Sequence, residues 1–368
     1  MGLLEDNQTI GEKYEVERFL GEGAFAEVYR VRHCFFGRQA MKVLKETGLT
    51  KKELEERLSE AVLLSRLEHP NIIRVFDADT TMTSSGRCGF FTMEYVAGGS
   101  LEKYWQSFGR QFVPVETVVD ISKQCCRGLA RAHADDPPIV HRDIKPQNIL
   151  VGHDASGLRV RVSDFGLAKH VNPLTFAATS LGTRSFKSPE ALENYKADSP
   201  AGDVWALGST MYLLLTDRLP FPTANDSDSF DMDRFKRPLI PPSRLNPNVD
   251  AVLDQIVFRA LAVDPKQRYS TAQGLLNDLS GWVHQPPATA QATKMTSSSD
   301  GSKSALGQHS SPDETQARKM ASEALELARQ HGRMAEAADL MEESFNRWPD
   351  LREEFEYWVK IWRKGMSI

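Results

Sequence analysis

The stretch of sequence that decides the fold is HRDIKPQN, residues 141–148, which is followed by the apolar run Ile149-Leu150-Val151. It places the carboxylate of Asp143 two residues before Lys145 and five residues before the amide of Asn148. A rigid loop of this composition can supply a base, a cation that neutralises a transferring phosphoryl group, and a metal ligand. An ordinary polar loop requires no such order of residues.

A second acidic motif, Asp164-Phe165-Gly166, begins sixteen residues after Asn148. Its carboxylate lies on a turn that contains glycine, the residue with the greatest backbone freedom. Together the two motifs favour a phosphoryl-transfer site over a chance arrangement of polar residues.

The first part of the chain has the pattern of a β-hairpin bent by glycine. Apolar residues alternate with polar ones over residues 14–31, on both sides of Gly21 and Gly23. Exposed backbone N–H groups at such a turn can cradle phosphates, although a tight hairpin without a ligand explains the pattern equally well. The candidate phosphate-binding residues are Gly21, Glu22, Gly23, Ala24, Phe25 and Ala26.

Two charged residues downstream indicate a functional site only if they act as a pair. Lys42 lies on a predicted strand at residues 39–44, and Glu60 lies on a predicted helix at residues 51–67 that ends at His69-Pro70. Taken alone, each is typical of a solvated surface charge. A phosphate site between them would give the pair a function.

The composition is that of a folded intracellular protein. The 368 residues are 40% hydrophobic and 26% charged, close to globular averages. A net charge of −5 and a pI of about 6.0 argue against a chain that coats nucleic acid or an anionic membrane. The four cysteines lack metal-binding spacing and are expected to be reduced, and no apolar run is long enough for a membrane span. We therefore expect a cytoplasmic protein without a nucleic-acid partner.

With these motifs in order, residues 14–284 resemble the eukaryotic-type (Hanks-type) serine/threonine protein kinases. Further matches are Ser188-Pro189-Glu190, a predicted turn at Asp203-Val204-Trp205, and Asp264-Pro265. The motif Asp143-Ile144-Lys145 resembles the serine/threonine type rather than the tyrosine type, and the compact motif style is similar to that of bacterial members.

The resemblance implies an α+β fold with two lobes, a small β-rich N-lobe at residues 14–96 and a large helical C-lobe at residues 97–284. Residues 1–13 would form an N-terminal tail. Pro, Ala, Thr and Ser dominate residues 285–313, a composition that predicts a flexible linker. A helical segment is expected over residues 314–368.

The resemblance also implies a reaction, the transfer of the γ-phosphoryl group of Mg-ATP to Ser and Thr hydroxyls of protein substrates, including the activation loop of the kinase itself. Asp143 would orient or deprotonate the substrate hydroxyl, and Lys145 would neutralise charge on the transferring group. Asn148 and Asp164 would hold Mg²⁺, with Mn²⁺ as an alternative.

The nucleotide would be held between the lobes. Lys42 would contact the α- and β-phosphates and pair with Glu60. Met93 resembles the gatekeeper residue beside the adenine. The other adenine contacts would come from Glu94 and Val96 through backbone groups, and from an apolar clamp of Val28, Ala40 and Leu150.

Glu190 would pair with Arg268, as implied by the same resemblance. The chain departs from the family pattern at Ser188, where alanine is usual, and at Phe186, where tyrosine is frequent. These departures leave every charge needed for phosphoryl transfer in place.

Regulation is implied by Arg142, which directly precedes Asp143. In kinases with this arginine, a phosphate on the activation loop commonly pairs with it, because an arginine fork matches phosphate oxygens. We expect the main modified hydroxyl at Thr179. The other activation-loop hydroxyls are Thr175 as a secondary site, Ser180, and Thr183 in the substrate-binding segment.

The tail resembles one tetratricopeptide-type helical hairpin followed by a further helix, with Gly332 and Pro349 at matching positions. A plain amphipathic three-helix bundle fits equally well, and a single repeat would need a cap or a protein partner. Two rival functions follow: a catalytically inactive kinase that acts as a binding module, or a chain whose main function lies in the tail. The complete catalytic set favours an active kinase over the first rival.

Overall fold

In the computed structural model the chain divides into two compact units, Met1–Lys294 and Met295–Ile368. The structure describes residues 2–165 and 184–284, with gaps at 49, 51, 54, 56–57, 110, 155–156, 195–196 and 223–231. In the second unit it describes residues 333–348 and separate positions between 316 and 363. The predicted linker lies outside the described residues.

The first unit opens with an antiparallel sheet in the strand order β1-β2-β3-β4-β6-β5. Buried and exposed residues alternate at the start of β2 and along β3, as expected for strands with one face on a core. Lys42 lies in the middle of the sheet, with Val28 of β3 and Phe91 of β6 as its register partners. The strands are β1 (Thr9–Ile10), β2 (Tyr14–Glu22), β3 (Ala26–His33), β4 (Gly37–Leu44), β5 (Val75–Thr83) and β6 (Gly86–Glu94).

The segment at residues 2–10, expected as part of a tail, is folded onto this sheet. Leu3 and Leu4 are buried within the same core cluster as residues of β2, β3, β4 and β6. The N–H of Leu3 donates to the Glu27 carboxylate at 2.8 Å, and the N–H of Leu4 donates to the Tyr29 hydroxyl at 3.0 Å. Because Glu27 is the second residue of β3 and pairs with Glu22, this segment anchors the β2–β3 hairpin next to its turn.

The helix predicted over residues 51–67 is present in two parts, since residues 52, 53 and 55 are also helical. Helix α1 spans Ser59–Arg66, and Leu58 lies in a turn before it. An earlier turn starts at Thr50, whose hydroxyl accepts from the N–H of Glu53 at 3.3 Å while the Glu53 carboxylate accepts from the N–H of Thr50 at 2.8 Å. The earlier turn is therefore capped separately, and α1 starts afresh.

The rest of the first unit is helical apart from one hairpin. Helix α5 is buried along nearly its whole length and packs with α3 at the centre, as expected for a helix that is apolar all round. The elements are α2 (Leu101–Gln106), α3 (Val115–His133), β7 (Ile149–Asp154), β8 (Gly157–Val162), α4 (Pro189–Glu193), α5 (Pro200–Thr216), α6 (Pro242–Leu245), α7 (Ala251–Ala260) and α8 (Ala272–Gly281), with 3₁₀ turns at Pro146–Asn148 and Met232–Lys236.

The start of α5 corrects the turn predicted at residues 203–205. The Ser199 hydroxyl caps the helix by accepting from the N–H of Gly202 at 3.2 Å. Pro200 takes the first helical position, where the missing N–H costs nothing. Asp203 is thus a residue of the first helical turn, and it is buried.

The second unit is built around helix α9 (Met334–Arg347). One face of α9 buries Ala337, Ala338, Met341 and Phe345 against small residues of the preceding segment, among them Ala321 and Ala324. Within the described part of the chain, no helix has the length and apolar character that a membrane crossing requires.

Candidate active site

A buried carboxylate on α5 fixes the backbone of the H-R-D loop. Asp203 accepts hydrogen bonds from the N–H groups of His141 at 2.7 Å and Arg142 at 2.8 Å. His133 Nε2 lies 3.0 Å from the same carboxylate and carries the proton, because its Nδ1 accepts from a backbone N–H. Burial opposes the charge on Asp203, but His133 and His141 offset it and hold the pKa of Asp203 below its usual value.

Two residues beside the catalytic groups have left-handed backbones. Arg142, which precedes Asp143, has φ +73°, and Asp164 has φ +63°. Such conformations cost a non-glycine residue about 1–3 kcal/mol and persist where surrounding bonds hold them. Both residues lie in motifs that the sequence marks as catalytic, while Asn7 and Asp217, which also have positive φ, lie elsewhere.

Asp143 faces a cation and an amide. Its Oδ2 lies 2.9 Å from Lys145 Nζ, and Asn148 Nδ2 donates to the same oxygen at 2.9 Å. Asn148 Nδ2 also donates to the backbone carbonyl of Asp143 at 2.8 Å. A carboxylate held in this way has a fixed orientation, which the acceptor of a substrate proton requires.

His141 connects the H-R-D loop with the D-F-G turn. Its Nδ1 accepts from the N–H of Asp143 at 3.2 Å, so its Nε2 carries the proton and donates to the Ser163 carbonyl at 2.8 Å. The ring centroids of His141 and Phe165 are 4.5 Å apart. Burial lowers the pKa of His141 and favours the neutral ring that these two hydrogen bonds need.

The two lobes meet at an ion pair between Lys42 and Asp164. Lys42 Nζ lies 2.5 Å from Asp164 Oδ1, and the same ammonium lies 5.5 Å from the ring centroid of Phe91. Burial raises the pKa of Asp164, but Lys42, with smaller contributions from His141 and Lys145, brings it below the usual value. A cation and a carboxylate are therefore ready in the cleft where a nucleotide phosphate and a metal would compete for them.

The acidic and amide groups fit a divalent cation. Mg²⁺ prefers oxygen ligands such as carboxylates, completed by substrate phosphates and water. Lys42 favours the ionised form of Asp164. The Asn148 amide nitrogen is already committed to Asp143, which leaves its oxygen as the atom suited to a metal.

The predicted adenine clamp of Val28, Ala40 and Leu150 and the predicted gatekeeper Met93 lie in or against one hydrophobic core. Ala40 and Met93 are register partners in β4 and β6, and both are buried. Val28 and Leu150 are half-buried and pack against the same core. The four side chains supply apolar surface from both lobes.

The segment between the lobes includes Glu94, Val96 and Gly98. The Glu94 carboxylate accepts from Arg161 Nε at 2.9 Å, and the Val96 carbonyl accepts from the N–H of Gly99 at 3.2 Å. A Cβ at Gly98 would lie 2.2 Å from the carbonyl oxygen of Val151, so only glycine permits this backbone approach.

The tip of the β2–β3 hairpin is open. The nearest heavy atom to a Cβ built at Gly23 is the Ala26 carbonyl oxygen at 3.9 Å, and none comes within 4 Å at Gly21. Ala24 is exposed and Phe25 is half-buried. No contact within the described chain requires glycine at these two positions.

Several predicted site residues lie outside what the structure describes. Glu60 is in α1, but its side chain is not described, so its pairing with Lys42 stays a prediction. The other such residues are Gly166, Thr175, Thr179, Ser180 and Thr183.

The predicted pair of Glu190 and Arg268 is present. Arg268 Nη1 and Nη2 donate to the two Glu190 carboxylate oxygens at 2.8 and 3.2 Å, and the Arg268 side chain is fully buried. The guanidinium also lies 4.9 Å from the ring centroid of Trp205. This contact fixes the segment that follows the activation loop to the helical core.

Sequence analysis assigned no role to Asp203 or His133. A signal for Asp203 existed, because the cap residue Ser199 and the following proline place it in the first turn of a helix. His133 is the last residue of α3, and nothing in its neighbourhood in the sequence marks its contact with Asp203.

Residues 14–279 match the protein kinase domain family. A probable serine/threonine-protein kinase of Clostridium perfringens is 31% identical over 77% of this chain and 40% of its own length. The serine/threonine-protein kinases PknB of Mycobacterium leprae and PrkC of Bacillus subtilis are each 32% identical, over 79% and 74% of this chain and 46% and 41% of their own lengths. The crystal structure of the Mycobacterium tuberculosis PknI kinase domain has a TM-score of 0.54 and 27% identity, over 75% of this chain and 98% of that chain.

The chain belongs to the protein kinase domain family and has its bilobal fold. Its domain is of the serine/threonine type, as in the curated relatives. Members of this family use ATP and a divalent metal. The chain spans 40% to 46% of the length of these relatives.

Proposed function

We propose that this chain is an active protein kinase that transfers the γ-phosphoryl group of Mg-ATP to Ser and Thr hydroxyls of proteins. One observation carries the proposal: Asp143 is already oriented by Lys145 and Asn148. The Lys42–Asp164 pair supports it from the other side of the cleft. All of these charges belong to the set that phosphoryl transfer needs.

Each residue has a distinct task in this proposal. Asp143 accepts the hydroxyl proton of the substrate and directs its oxygen at the γ-phosphorus. Lys145 stabilises negative charge on the transferring group, and Lys42 holds the α- and β-phosphates. Bound Mg²⁺, or Mn²⁺ in its place, would be held by Asn148 and Asp164 and would neutralise phosphate charge.

The rival proposal, an inactive kinase that only binds partners, is disfavoured by the same contacts. An inactive relative usually lacks at least one of the catalytic charges. Here the residue types are complete, and Asp203 fixes the loop backbone through two N–H groups.

The test is phosphosite mapping by mass spectrometry after incubation of the purified chain with Mg-ATP and a generic protein substrate. Asp143→Asn is the control, since it keeps the size of the side chain and removes the proton acceptor. We expect phosphate on Ser and Thr of chain and substrate with the wild type and none with the control. Equal labelling of both, or none with an ATP-binding wild type, would refute the proposal.

A regulatory switch accompanies the proposed activity. Autophosphorylation at Thr179, with Thr175 as a secondary site, would raise activity by pairing with Arg142. The support is that the guanidinium of Arg142, whose Nε lies 3.6 Å from Asp198 Oδ2, is next to the catalytic loop and has the N–H donor geometry that matches phosphate oxygens. Thr179→Ala should lower the rate of substrate phosphorylation, and a dephosphorylated wild type as fast as the phosphorylated one would contradict the switch.

We propose a cytoplasmic location and a protein partner for the tail. The described cysteines are free thiols, and ATP is a cytoplasmic substrate. The tetratricopeptide-like assignment rests on the small buried residues of α9 and its neighbouring segment. Affinity capture with the full chain, compared with a variant carrying charge reversals on the exposed face of α9, would test the partner.

A further inference from the structure

Lys187 is a buried cation to which the reaction scheme gives no task. It lies in the substrate-binding segment, three residues before Glu190, and its side chain is 9% exposed. Lysine is rarely buried without partners, because removing an ammonium from water is costly. The groups that Lys187 contacts therefore indicate its role.

The partner of Lys187 is the backbone of the H-R-D loop. Lys187 Nζ donates to the carbonyl oxygen of Arg142 at 2.6 Å and lies 3.7 Å from Asp198 Oδ1. Arg142 Nε lies 3.6 Å from Asp198 Oδ2, so this carboxylate lies between the two cations. The ammonium thus crosses from the substrate-binding segment to the residue directly before Asp143.

The Arg142 backbone is held from both ends. Its N–H donates to Asp203, and its carbonyl accepts from Lys187. This residue has the left-handed φ of +73°, which persists only under restraint. Its carbonyl belongs to the peptide that joins it to Asp143, so the plane of that peptide sets the direction in which the Asp143 side chain leaves the loop.

We infer that Lys187 is a positioning residue, which orients Asp143 through the Arg142 carbonyl and links the substrate-binding segment to the catalytic loop. The inference rests on the proposed kinase activity for its functional consequence. Its structural consequence, a fixed Arg142–Asp143 peptide, does not depend on activity.

The test compares Lys187→Met and Lys187→Arg in the full chain. Methionine keeps the unbranched stem and cannot donate, whereas arginine can donate to the carbonyl. Lys266→Met, an exposed lysine of the same lobe, is the matched control. Since a lost supporting contact typically costs about 10- to 100-fold, we expect kcat per ATP-binding site to fall by that factor in Lys187→Met with KM for ATP within about twofold. Arginine should restore most of kcat.

A second readout is independent of catalysis. Amide hydrogen exchange without nucleotide should become faster at residues 141–148 in Lys187→Met, and remain unchanged in Lys187→Arg and Lys266→Met. Unchanged exchange and kcat in Lys187→Met would overturn the inference. A kcat loss that only follows the fraction of folded protein, without rescue by arginine, would overturn it as well. An inactive wild type with the expected exchange pattern would instead refute the proposed function and retain the positioning role.

Discussion

The H-R-D loop and the β2–β3 hairpin contribute to the same cleft, but the protein holds them very differently. In the loop, the N–H groups of His141 and Arg142 donate to the Asp203 carboxylate of α5, and the N–H of Asp143 donates to the His141 ring. At the hairpin tip, Gly21 and Gly23 border open space. The difference shows that contacts within the protein hold the H-R-D loop, whereas the protein leaves open space beside the two glycines of the proposed phosphate site.

The hairpin is nevertheless held by contacts in and beside its turn. The segment at residues 2–10 anchors Glu27, and Lys45 Nζ donates to the Gly23 carbonyl at 2.9 Å. The space that a Cβ would take at Gly21 and Gly23 is open, and this is the side of the hairpin that would approach a phosphate. The same hairpin therefore has positions that are held by hydrogen bonds and positions that border open space.

The largest effect is expected at the contact that bridges the lobes. Lys42→Met should lower kcat/KM by about 10²–10³-fold, because one preorganised charge at the phosphates is lost. Lys13→Met, an exposed lysine of the same lobe, should leave activity unchanged. Steady-state kinetics with circular dichroism on both variants checks this. Full activity in Lys42→Met would contradict its assigned role.

A smaller effect is expected from a change at Asp203, which holds the backbone of the H-R-D loop. Asp203→Asn keeps the shape but loses the charge, and each hydrogen bond to a charged group that is lost should cost about 1.5–3 kcal/mol of unfolding free energy. The variant should also lose kcat, because the Asp143 backbone loosens. Urea denaturation measures the first effect, with the exposed Asp135→Asn as control.

Asp203 also makes the unfolding free energy depend on pH in a direction that can be predicted. Because folding lowers the pKa of Asp203, its contribution is complete above the unfolded value of about 4 and is lost as pH falls below it. The difference in unfolding free energy between the wild type and Asp203→Asn should therefore stay constant from pH 7 to about pH 4 and narrow below it. A gap that widens towards acid would show that Asp203 is not held as an ionised acceptor.

The smallest effects are expected from two glycine substitutions, of which one should lower stability and the other should weaken ATP binding. A Cβ at Gly98 meets the Val151 carbonyl, so Gly98→Ala should destabilise the fold by about 1–3 kcal/mol. Gly23→Ala meets no such obstacle, so its unfolding free energy should change by less than about 0.5 kcal/mol while KM for ATP rises. Thermal unfolding and ATP titration separate the two outcomes. An equal loss of unfolding free energy in Gly98→Ala and Gly23→Ala would contradict the claim that close packing requires glycine at residue 98 but not at residue 23.

The sequence predicted the chemistry of the site better than its local contacts. The order of H-R-D and D-F-G motifs identified the residues that meet in the cleft, and the Glu190–Arg268 pair was found as predicted. The direct contact of Lys42 with Asp164 was not foreseen. Spacing identifies which charges share a cleft, but their pairing depends on which neighbours and ligands compete for them.

The remaining differences concern segments whose sequence signals are short. Leu3 and Leu4 form too brief an apolar pattern to predict that residues 2–10 are folded onto the sheet. The cap at Thr50 and the turn at Leu58 interrupt a continuous helical pattern that favoured one long helix. At Leu3 and Leu4, packing partners distant in the chain decide the structure, whereas at Thr50 a local cap does so.

The central claim is that contacts within the protein are sufficient to hold the H-R-D loop, whereas the β2–β3 hairpin has open space at Gly21 and Gly23 that a nucleotide can fill. Amide hydrogen exchange of the wild type with and without Mg²⁺ and a non-hydrolysable ATP analogue tests it most directly. The account predicts new protection at residues 21–28 and no change at residues 141–148. Large new protection in the H-R-D loop, or none at the hairpin despite bound nucleotide, would contradict it.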